Sequence, residues 1–447
     1  MSKTFRPWDV DQVWLLPPSI QDLVPSGHMA HFVRDTVRTG LDLSRIMDSY
    51  DEERGFPPYH PGMMVALLLY AYSQGVYSSR RIARGCEERL DFAAVTGLQH
   101  PDFRTISDFR KRHLTALSGL FQQVLKLCRE AGLVKLGHVA LDGTKIKANA
   151  GLNKAMSYGR MKQAEQELAA EVDRWLAQAA QTDKAEDRQF GQVKRGDEMP
   201  DWMADKEKRL EKIRAAKAAL EAEARAKAQA AAKQKDDGEG PCGDGGKAKP
   251  GRKPKPVSAQ PDNKAQRNFT DPDSRVMPTR SGFVQGYNAQ AAVDGAHQII
   301  VAHTLTNSSS DQAQLAPLLD GIKANLGSNP DEASADAGYC SNANLLTLLR
   351  RRINAYIATG RQKHGAKAAV AKRKVQSPLL LRMSTKLKRG GYRSRYRLRK
   401  QIVEPVFGQI KQARGFRQFL LRGIQKVQNE WAMICTAHNL TKLAAAR

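Results

Sequence analysis

The sequence has few cysteines and no long apolar run, and both absences narrow the class of protein. Its 447 residues include five cysteines, which stand singly, without a CxxC pair or a Cys/His cluster at zinc spacing. We therefore expect reduced thiols and no structural zinc. No stretch approaches the roughly 18 consecutive apolar residues that a membrane helix requires. The start of the chain does not resemble a signal peptide, so we expect a cytoplasmic protein without a membrane partner.

Acidic side chains are fewer than basic ones, and the resulting positive charge predicts an anionic partner. The sequence has 72 Lys and Arg against 46 Asp and Glu, which gives a net charge of +26. Such an excess attracts polyanions, and the neutralisation of phosphates releases counterions, so nucleic acid is the expected partner. Binding to DNA would associate the protein with the nucleoid. Charge alone leaves open a protein that is simply soluble and basic.

The first region, residues 1–133, is predicted to be an all-helical domain that binds DNA. Its apolar residues recur at helical spacing between breaks of Pro, Gly and Ser. Pro61 to Tyr72, followed by a turn and a second helix that begins near Ser78, suggests a helix-turn-helix. The second helix opens with three arginines: Arg80, Arg81 and Arg84. These side chains could contact phosphates or guanine edges, but an ordinary helical hairpin with a solvated basic face fits the pattern equally well.

Residues 134–150 and 271–447 are predicted to form one α/β domain that an insertion divides. His138 to Ile146 is typical of a buried strand, and two further strands joined by an Asp-Gly turn follow after residue 271. The remainder alternates helix, strand, helix, strand and helix. This order predicts a mixed sheet with helices on both faces, which is the order of a ribonuclease H-like fold.

The insertion between these two parts has a different composition. Residues 151–235 are rich in Ala, Glu, Lys and Arg and predict two long helices that form an inserted hairpin. Residues 236–270 contain DDGEGPCGDGG and KAKPGRKPKP, which have nothing to bury. We therefore predict a disordered, basic linker over residues 236–270.

Two aspartates fall where the predicted topology brings two strands together. In the ribonuclease H-like order the first and fourth strands are neighbours, and Asp142 and Asp336 end these strands. A third acid, Glu404, lies in the last helical region. Three gathered carboxylates suit divalent ions that promote attack on a phosphodiester, and hard oxygen ligands favour Mg²⁺ or Mn²⁺. We predict that Asp142, Asp336 and Glu404 are the catalytic metal ligands.

Basic side chains lie close to Glu404 in the predicted helix. At about 100° per residue, Lys400 and Lys411 lie within about 40° of the direction of Glu404. Arg397 falls on the same face, and cations along one stripe suit a phosphate track beside a metal. Pro405 interrupts the pattern, because a proline inside a helix removes a hydrogen bond. The helix should therefore start afresh near Glu404 or bend there.

Two other aspartates are weaker candidates for the site. Asp294 sits in the predicted hairpin turn, at the strand end away from Asp142, so a turn role is favoured. Asp311 follows three serines and resembles the start of a helix, so a capping role is favoured over ligation. His297 and His303 have no partner acid at metal spacing and are predicted to be structural.

Several motifs together resemble a known family. LDGTKIKANA, GYNAQAAVD, ADAGY and EPVFGQIK, with the N-terminal PPYHPGMMVALLLYAYSQGVYSSRRI, are similar to bacterial insertion-sequence transposases of the DDE type. The closest similarity is to the branch that carries a long insertion after the first aspartate, and it covers nearly all of the chain outside the linker. The resemblance implies that the acids matching Asp142, Asp336 and Glu404 bind the catalytic metals.

The family signature around the glutamate is matched only in part. It consists of a tyrosine, two residues, an arginine, three residues, the glutamate, six residues and a lysine. Lys411 matches, but Lys400 replaces the arginine, and Arg397 stands in the place of the tyrosine, with Tyr396 one position early. We expect phosphate contact to survive these changes, although a lysine replaces a bidentate fork by a point charge. The predicted DNA contacts on this helix are Tyr396, Arg397, Lys400 and Lys411.

The combined prediction is a DNA transposase that binds the terminal inverted repeats of its insertion sequence. It would cleave strands there and transfer them to target DNA, and the joining of two ends implies at least a homodimer. A transposase-derived protein that binds DNA without cleaving it is one alternative, and a stand-alone nuclease of the same fold is another. A lost carboxylate would favour the first alternative, and all three are present. The arginine cluster at Arg80 weakly favours the transposase over the nuclease.

Overall fold

The computed structural model describes residues 19, 21–22, 24–50, 58–190, 201–236, 258–279, 282–360 and 377–446. The chain forms two compact units, of which the first comprises Met1–Ile146 and Tyr287–Arg447 and the second Lys147–Gly286. The α-helices of the described residues are α1 (Met29–Thr39), α2 (Ser44–Met47), α3 (Pro61–Ser73), α4 (Ser79–Glu88), α5 (Leu90–Thr96), α6 (Phe103–Arg112), α7 (Leu114–Glu130), α8 (Tyr158–Phe190), α9 (Asp201–Asp236), α10 (Leu315–Leu326), α11 (Asn342–Arg350), α12 (Pro378–Gly390), α13 (Leu398–Gly408) and α14 (Ile424–Ala445). The strands are β1 (His138–Lys147), β2 (Ala155–Ser157), β3 (Gln266–Asn268), β4 (Arg275–Thr279), β5 (Gly282–Asp294), β6 (Ile300–Thr306), β7 (Glu332–Ala335) and β8 (Asn354–Ile357).

A mixed sheet organises the first unit. Its strands lie in the order β6, β5, β1, β7 and β8. β5 and β6 pair antiparallel, whereas β1 with β7 and β7 with β8 pair parallel. Helices α10 and α14 pack against β6, α13 packs against β7, and α11 and α12 pack against β8. The predicted mixed sheet is confirmed, as is the neighbourhood of its first and fourth strands, β1 and β7, and the arrangement fits a ribonuclease H-like α/β core.

The N-terminal helices share a hydrophobic core with the last helix of the chain. Residues 24–50 and 58–137 are helical or irregular and contain no strand. Helices α3 and α7 both pack against α14, which is buried along most of its length. A helix with apolar residues on every side must be covered on every side. The predicted boundary at residue 133 therefore does not separate two compact units, because α14 needs the N-terminal helices as its cover.

The second unit contains the two long helices predicted for the insertion, α8 and α9. Tyr158 and Met161 pack with Ile213 and Leu220 in a small buried cluster, and β2 pairs antiparallel with β3. Residues 237–257 of the predicted linker lie outside the described residues. Residues 266–268, also assigned to the linker, form β3, and the Asn268 amide donates to the Gly151 carbonyl at 2.8 Å. The linker prediction is wrong at this end, because backbone pairing, polar contacts and the packing of Ala265 and Phe269 against the buried cluster order the segment.

Membrane-spanning helices and cysteines are two further features for which the composition gives an expectation. No helix in the described ranges is long and apolar enough to cross a membrane. Free thiols are found at Cys86, Cys128, Cys340 and Cys435, as expected, and Cys242 lies outside the described residues.

Glu430 is a carboxyl group buried in the first unit. α14 places it in the core with 1% of its surface exposed, and its carboxyl oxygens accept hydrogen bonds from the backbone N–H groups of Leu420 and Leu421, both at 3.0 Å. Burial raises the pKa of Glu430 to about 7, although these two N–H groups and Arg110 lower it. The folded protein therefore holds a proton that the unfolded chain releases at lower pH.

We expect the free energy of unfolding to fall as pH rises from about 4.5 to about 7, the interval between the unfolded and folded pKa values of Glu430. Glu430→Gln removes the titrating proton and keeps an acceptor oxygen, so it should flatten this fall, by on the order of 3 kcal/mol between pH 4 and pH 8. Urea unfolding at both pH values measures the difference. The exposed Glu130→Gln is the control, and an identical pH slope in Glu430→Gln and the wild type would contradict the prediction.

Candidate active site

Asp142 and Asp336 lie side by side because of the register of two parallel strands. Leu141 of β1 is paired with Ala335, the last residue of β7, and each aspartate is the next residue along the chain. Asp142 Oδ1 accepts the Gly143 N–H at 2.9 Å, and Asp336 Oδ1 accepts the Gly338 N–H at 2.8 Å. The predicted juxtaposition is present. However, β1 continues to Lys147, so Asp142 lies inside its strand and not at the end as predicted.

Because Gly143 has no side chain, side chains of β5 can lie directly against β1 at this position. A Cβ atom at this position would overlap Gln290 Nε2 and would lie 2.9 Å from both Asn288 Oδ1 and Asp311 Oδ1. Asn288 and Gln290 are fully buried and cannot move aside into solvent. A glycine is therefore required directly after Asp142, because the side chains of Asn288, Gln290 and Asp311 fill the space beside it.

We expect Gly143→Ala to destabilise the protein, because the added methyl group must displace buried polar side chains. Overpacking of this kind costs about 1–3 kcal/mol. The matched control is Gly119→Ala in α7, where a Cβ atom would meet nothing within 4 Å and alanine should stabilise the helix by up to about 1 kcal/mol. Thermal unfolding of both variants distinguishes them, and equal melting temperatures would refute the packing requirement.

Arg399 of α13 is the cation that joins the predicted acids. Its Nη1 donates to Asp142 Oδ2 at 2.7 Å, and its Nη2 lies 3.4 Å from Glu404 Oε1. Its side chain is only 12% exposed. Burial lowers the pKa of Arg399, but Asp142, Tyr396, Asp336 and Glu404 raise it, and the result is above the usual value. All three predicted catalytic acids therefore act on one guanidinium.

Sequence reasoning missed Arg399, which fits the arginine of the family signature displaced by one residue. Tyr396 and Arg399 keep the spacing of two intervening residues, but four residues separate Arg399 from Glu404 instead of three. Counting backwards from Glu404 therefore leads to Lys400, whose side chain is exposed. The intact spacing between the tyrosine and the arginine is the signal that could have identified Arg399.

α13 continues through Pro405, so the first predicted alternative, a fresh start near Glu404, is wrong, and the second, a bend there, stays a prediction. Proline has no N–H for the carbonyl of Gln401, four residues earlier. The side chain of Gln298 supplies the missing donor, with its Nε2 at 3.0 Å from that carbonyl oxygen. The helix ends at Gly408 and is followed by a π-helical turn, Gln409–Ala413.

The π-helical turn sets the position of Lys411. Its Nζ donates to Thr144 Oγ1 at 3.0 Å and to the Lys145 carbonyl at 3.2 Å. Burial and the neighbouring Arg417 both lower the pKa of Lys411. Lys411 is thus attached to β1 just beyond Asp142. The angle predicted from an uninterrupted α-helix does not apply to it, and its contact with phosphate stays a prediction.

The other residues predicted to contact DNA lie in two places. Tyr396 is half-buried, whereas Arg397 and Lys400 are exposed. On α4, which packs against α5 and α6, the side chains predicted to contact DNA are all exposed: Arg80, Arg81 and Arg84. The guanidinium of Arg80 lies 5.1 Å from the centre of the Phe103 ring, and Arg84 pairs with Glu88 at 2.7 Å. The contact of these residues with DNA stays a prediction.

Asp294 and Asp311 have different outcomes. Asp294 is buried and accepts backbone N–H groups of Leu136 at 2.7 Å and Ala296 at 2.9 Å, which confirms its turn role. Asp311 precedes a short 3-10 helix, but its side chain makes no capping hydrogen bond. The capping prediction is wrong because a cluster of donors from β1 and β5 draws the carboxylate towards the sheet.

The chemistry of the donor set fits a divalent cation. Burial raises the pKa of Asp142 to about 6; Arg399 opposes this effect, and Asp336 and Asp311 add to it. Carboxylate oxygens that repel each other suit a hard cation, which removes the repulsion. In the described residues, however, no three His, Cys, Asp or Glu side chains are already arranged around a common point. Arg399 occupies one oxygen of Asp142 and separates it from Glu404.

A mixed sheet with aspartates on neighbouring strands and a basic helix beside them defines an α/β core suited to chemistry on phosphodiesters. Residues 18–112 match the family model described as Transposase domain (DUF772), and residues 264–440 match the one described as Transposase DDE domain. The chain therefore belongs to the DDE-type insertion-sequence transposases. Asp336 and Glu404 lie within the matched DDE domain. No curated protein and no solved structure matches the chain.

Proposed function

We propose that this protein is a DNA transposase that binds the terminal inverted repeats of its own insertion sequence, cleaves strands there and joins them to target DNA. Residues 1–133 bind DNA in this proposal, and residues 134–150 with 271–447 carry out the chemistry. The observation that carries it is the position of Asp142 and Asp336, which directly follow the paired residues Leu141 and Ala335 of two parallel strands, in a chain that matches two transposase domains.

Asp142, Asp336 and Glu404 would hold Mg²⁺ or Mn²⁺, which would activate the attacking oxygen and neutralise the leaving one. Asp142 and Asp336 present their carboxylates from paired strands, so their separation is set by the sheet. Arg399 neutralises Asp142 and Glu404 when DNA is absent. Its guanidinium is a planar fork that can also pair with two oxygens of a phosphate, so the same side chain would orient the DNA backbone.

The surface charge supports DNA as the substrate. The net charge of +26 favours attraction of a polyanion such as DNA. In this proposal the exposed cations Arg81 and Arg84 on α4, and Lys400 on α13, contact phosphates of the DNA backbone. Because two ends of an element are joined in one reaction, the active form in this proposal is at least a homodimer.

The test is cleavage of a labelled duplex that carries the sequence flanking this reading frame in its genome. Wild type and Asp336→Ala are compared with Mg²⁺ and with EDTA. We expect a metal-dependent nick at the repeat boundary in the wild type, no nick in Asp336→Ala and equal DNA binding by both. Tight binding without cleavage in either protein would favour a DNA-binding relic, and cleavage without regard to the boundary would favour a stand-alone nuclease.

A further inference from the structure

Asp311 lies close to the backbone that follows each of the two aspartates, Asp142 in β1 and Asp336 just after β7. A Cβ atom on Gly143, the residue after Asp142, would lie 2.9 Å from Asp311 Oδ1. A Cβ atom on Gly338, two residues after Asp336, would lie 3.1 Å from Asp311 Oδ2 and 2.9 Å from Asp336 Oδ1. Oδ1 of Asp311 therefore lies near Gly143, beside Asp142, and Oδ2 lies near Gly338, beside Asp336.

The side chain of Asp311 is held in this position by three donors. Its Oδ1 accepts from Asn288 Nδ2 at 2.6 Å, from Gln290 Nε2 at 2.8 Å and from Lys145 Nζ at 3.3 Å. Gln290 is itself fixed, because the hydroxyl of Tyr339 donates to its Oε1. All three donors reach Oδ1 of Asp311, and none of them reaches its Oδ2. A solvated capping residue needs no such anchoring, whereas a ligand must be held in one orientation before the ion arrives.

A buried oxygen beside Asp311 lacks a partner. Asn288 is fully buried, and its Oδ1 accepts no hydrogen bond. This oxygen would lie 2.9 Å from a Cβ atom on Gly143, so it faces the same space as Asp311 Oδ1. A buried acceptor without a donor costs about 1–3 kcal/mol. Amide and carboxylate oxygens are the ligands that hard divalent cations take from proteins, and such an ion or its bound water would satisfy Asn288.

We propose that Asp311 is a ligand of the divalent cation together with Asp142 and Asp336, and that Asn288 directs its amide oxygen towards the same ion. This inference deepens the proposed function and rests on it. It adds Asp311 to the acids of the proposed site, as a third carboxylate held on or beside the sheet. Glu404 stands apart from them, on the other side of Arg399, with 52% of its side chain exposed.

The first test measures metal binding by the full-length protein freed of metal. Calorimetric titration with Mn²⁺ is carried out on the wild type, Asp311→Asn, Asp142→Asn and the control Asp320→Asn, an exposed acid of α10. We expect Asp311→Asn to weaken Mn²⁺ binding at least about tenfold, as Asp142→Asn does, because even groups that only support a ligand change metal affinity by about 10- to 100-fold. Asp320→Asn should bind as the wild type does.

A second variant keeps the test decisive if Asp311→Asn does not fold. Asp311→Cys replaces the carboxylate by a thiolate, which prefers soft cations. Its affinity for Cd²⁺ relative to Mn²⁺ should exceed that of the wild type, which has the same other cysteines, by at least about tenfold. An unchanged preference, or wild-type Mn²⁺ affinity in Asp311→Asn while Asp142→Asn is weakened, would overturn this inference alone. A wild type that binds no Mn²⁺ would overturn the proposed function as well.

Discussion

Asp142→Asn is expected to abolish strand cleavage and leave DNA binding nearly unchanged. The amide keeps the shape of the side chain and an oxygen for the Gly143 N–H, but it removes the charge that would bind the metal and that now pairs with Arg399. Groups that merely support a metal ligand change affinity by about 10- to 100-fold, so loss of a ligand should slow cleavage by at least about 100-fold. DNA binding depends on cations at other positions.

Single-turnover nicking and fluorescence anisotropy of labelled DNA separate these two effects. Asp331→Asn is the matched control, because this acid is exposed just before β7 and one strand away from Asp142. Melting temperatures are measured in parallel, since Arg399 loses its closest partner in Asp142→Asn. Cleavage at the full rate by a folded Asp142→Asn protein would remove Asp142 from the catalytic site.

Trp431→Ala should produce the largest loss of stability. Trp431 is 0% exposed on α14, its ring lies 6.5 Å from that of Phe407, and its Nε1 donates to the Gln290 carbonyl at 3.1 Å. Replacement of a buried tryptophan by alanine costs about 3–5 kcal/mol, through lost burial and the cavity that remains. Because Gln290 also holds Asp311, the affinity for Mn²⁺ should fall in the same variant.

Urea unfolding measures the loss, and Trp431→Phe is the companion variant. Phenylalanine retains most of the ring and loses only the hydrogen bond and part of the volume, so its cost should be clearly smaller. A free energy of unfolding for Trp431→Ala within about 1 kcal/mol of the wild type would show that the core does not depend on this residue.

The main elements of the sheet and two of the site residues could be predicted from the sequence. Apolar runs and turn signals locate β1, β5 and β6, and alternating helices and strands then determine which strands are neighbours. That order places Asp142 beside Asp336, and the register of Leu141 with Ala335 confirms it. The short strands β2 and β3 could not be predicted, because strands of three residues are too short to show alternation and depend on each other for pairing.

The remainder of the site depends on contacts that local patterns do not contain. Asp311 follows a run of serines that is typical of a helix start, and only its donors on β1 and β5 reveal another role. Lys411 could not be positioned because a π-helical turn is not visible in the sequence. Arg399 could have been identified from the sequence, because two residues separate it from Tyr396, as in the family signature. It was missed because the signature's three-residue spacing before Glu404 leads to Lys400.

The chain enters and leaves the insertion on neighbouring strands of one sheet. β1 and β5 are adjacent and antiparallel, with Gly295 N–H donating to the His138 carbonyl and Ala148 N–H to the Gln285 carbonyl at 2.8 and 2.9 Å. The whole of Lys147–Gly286 is therefore topologically an oversized hairpin loop. A change in the length of that loop need not shift the register of either strand, so a short designed turn in its place should leave the sheet intact.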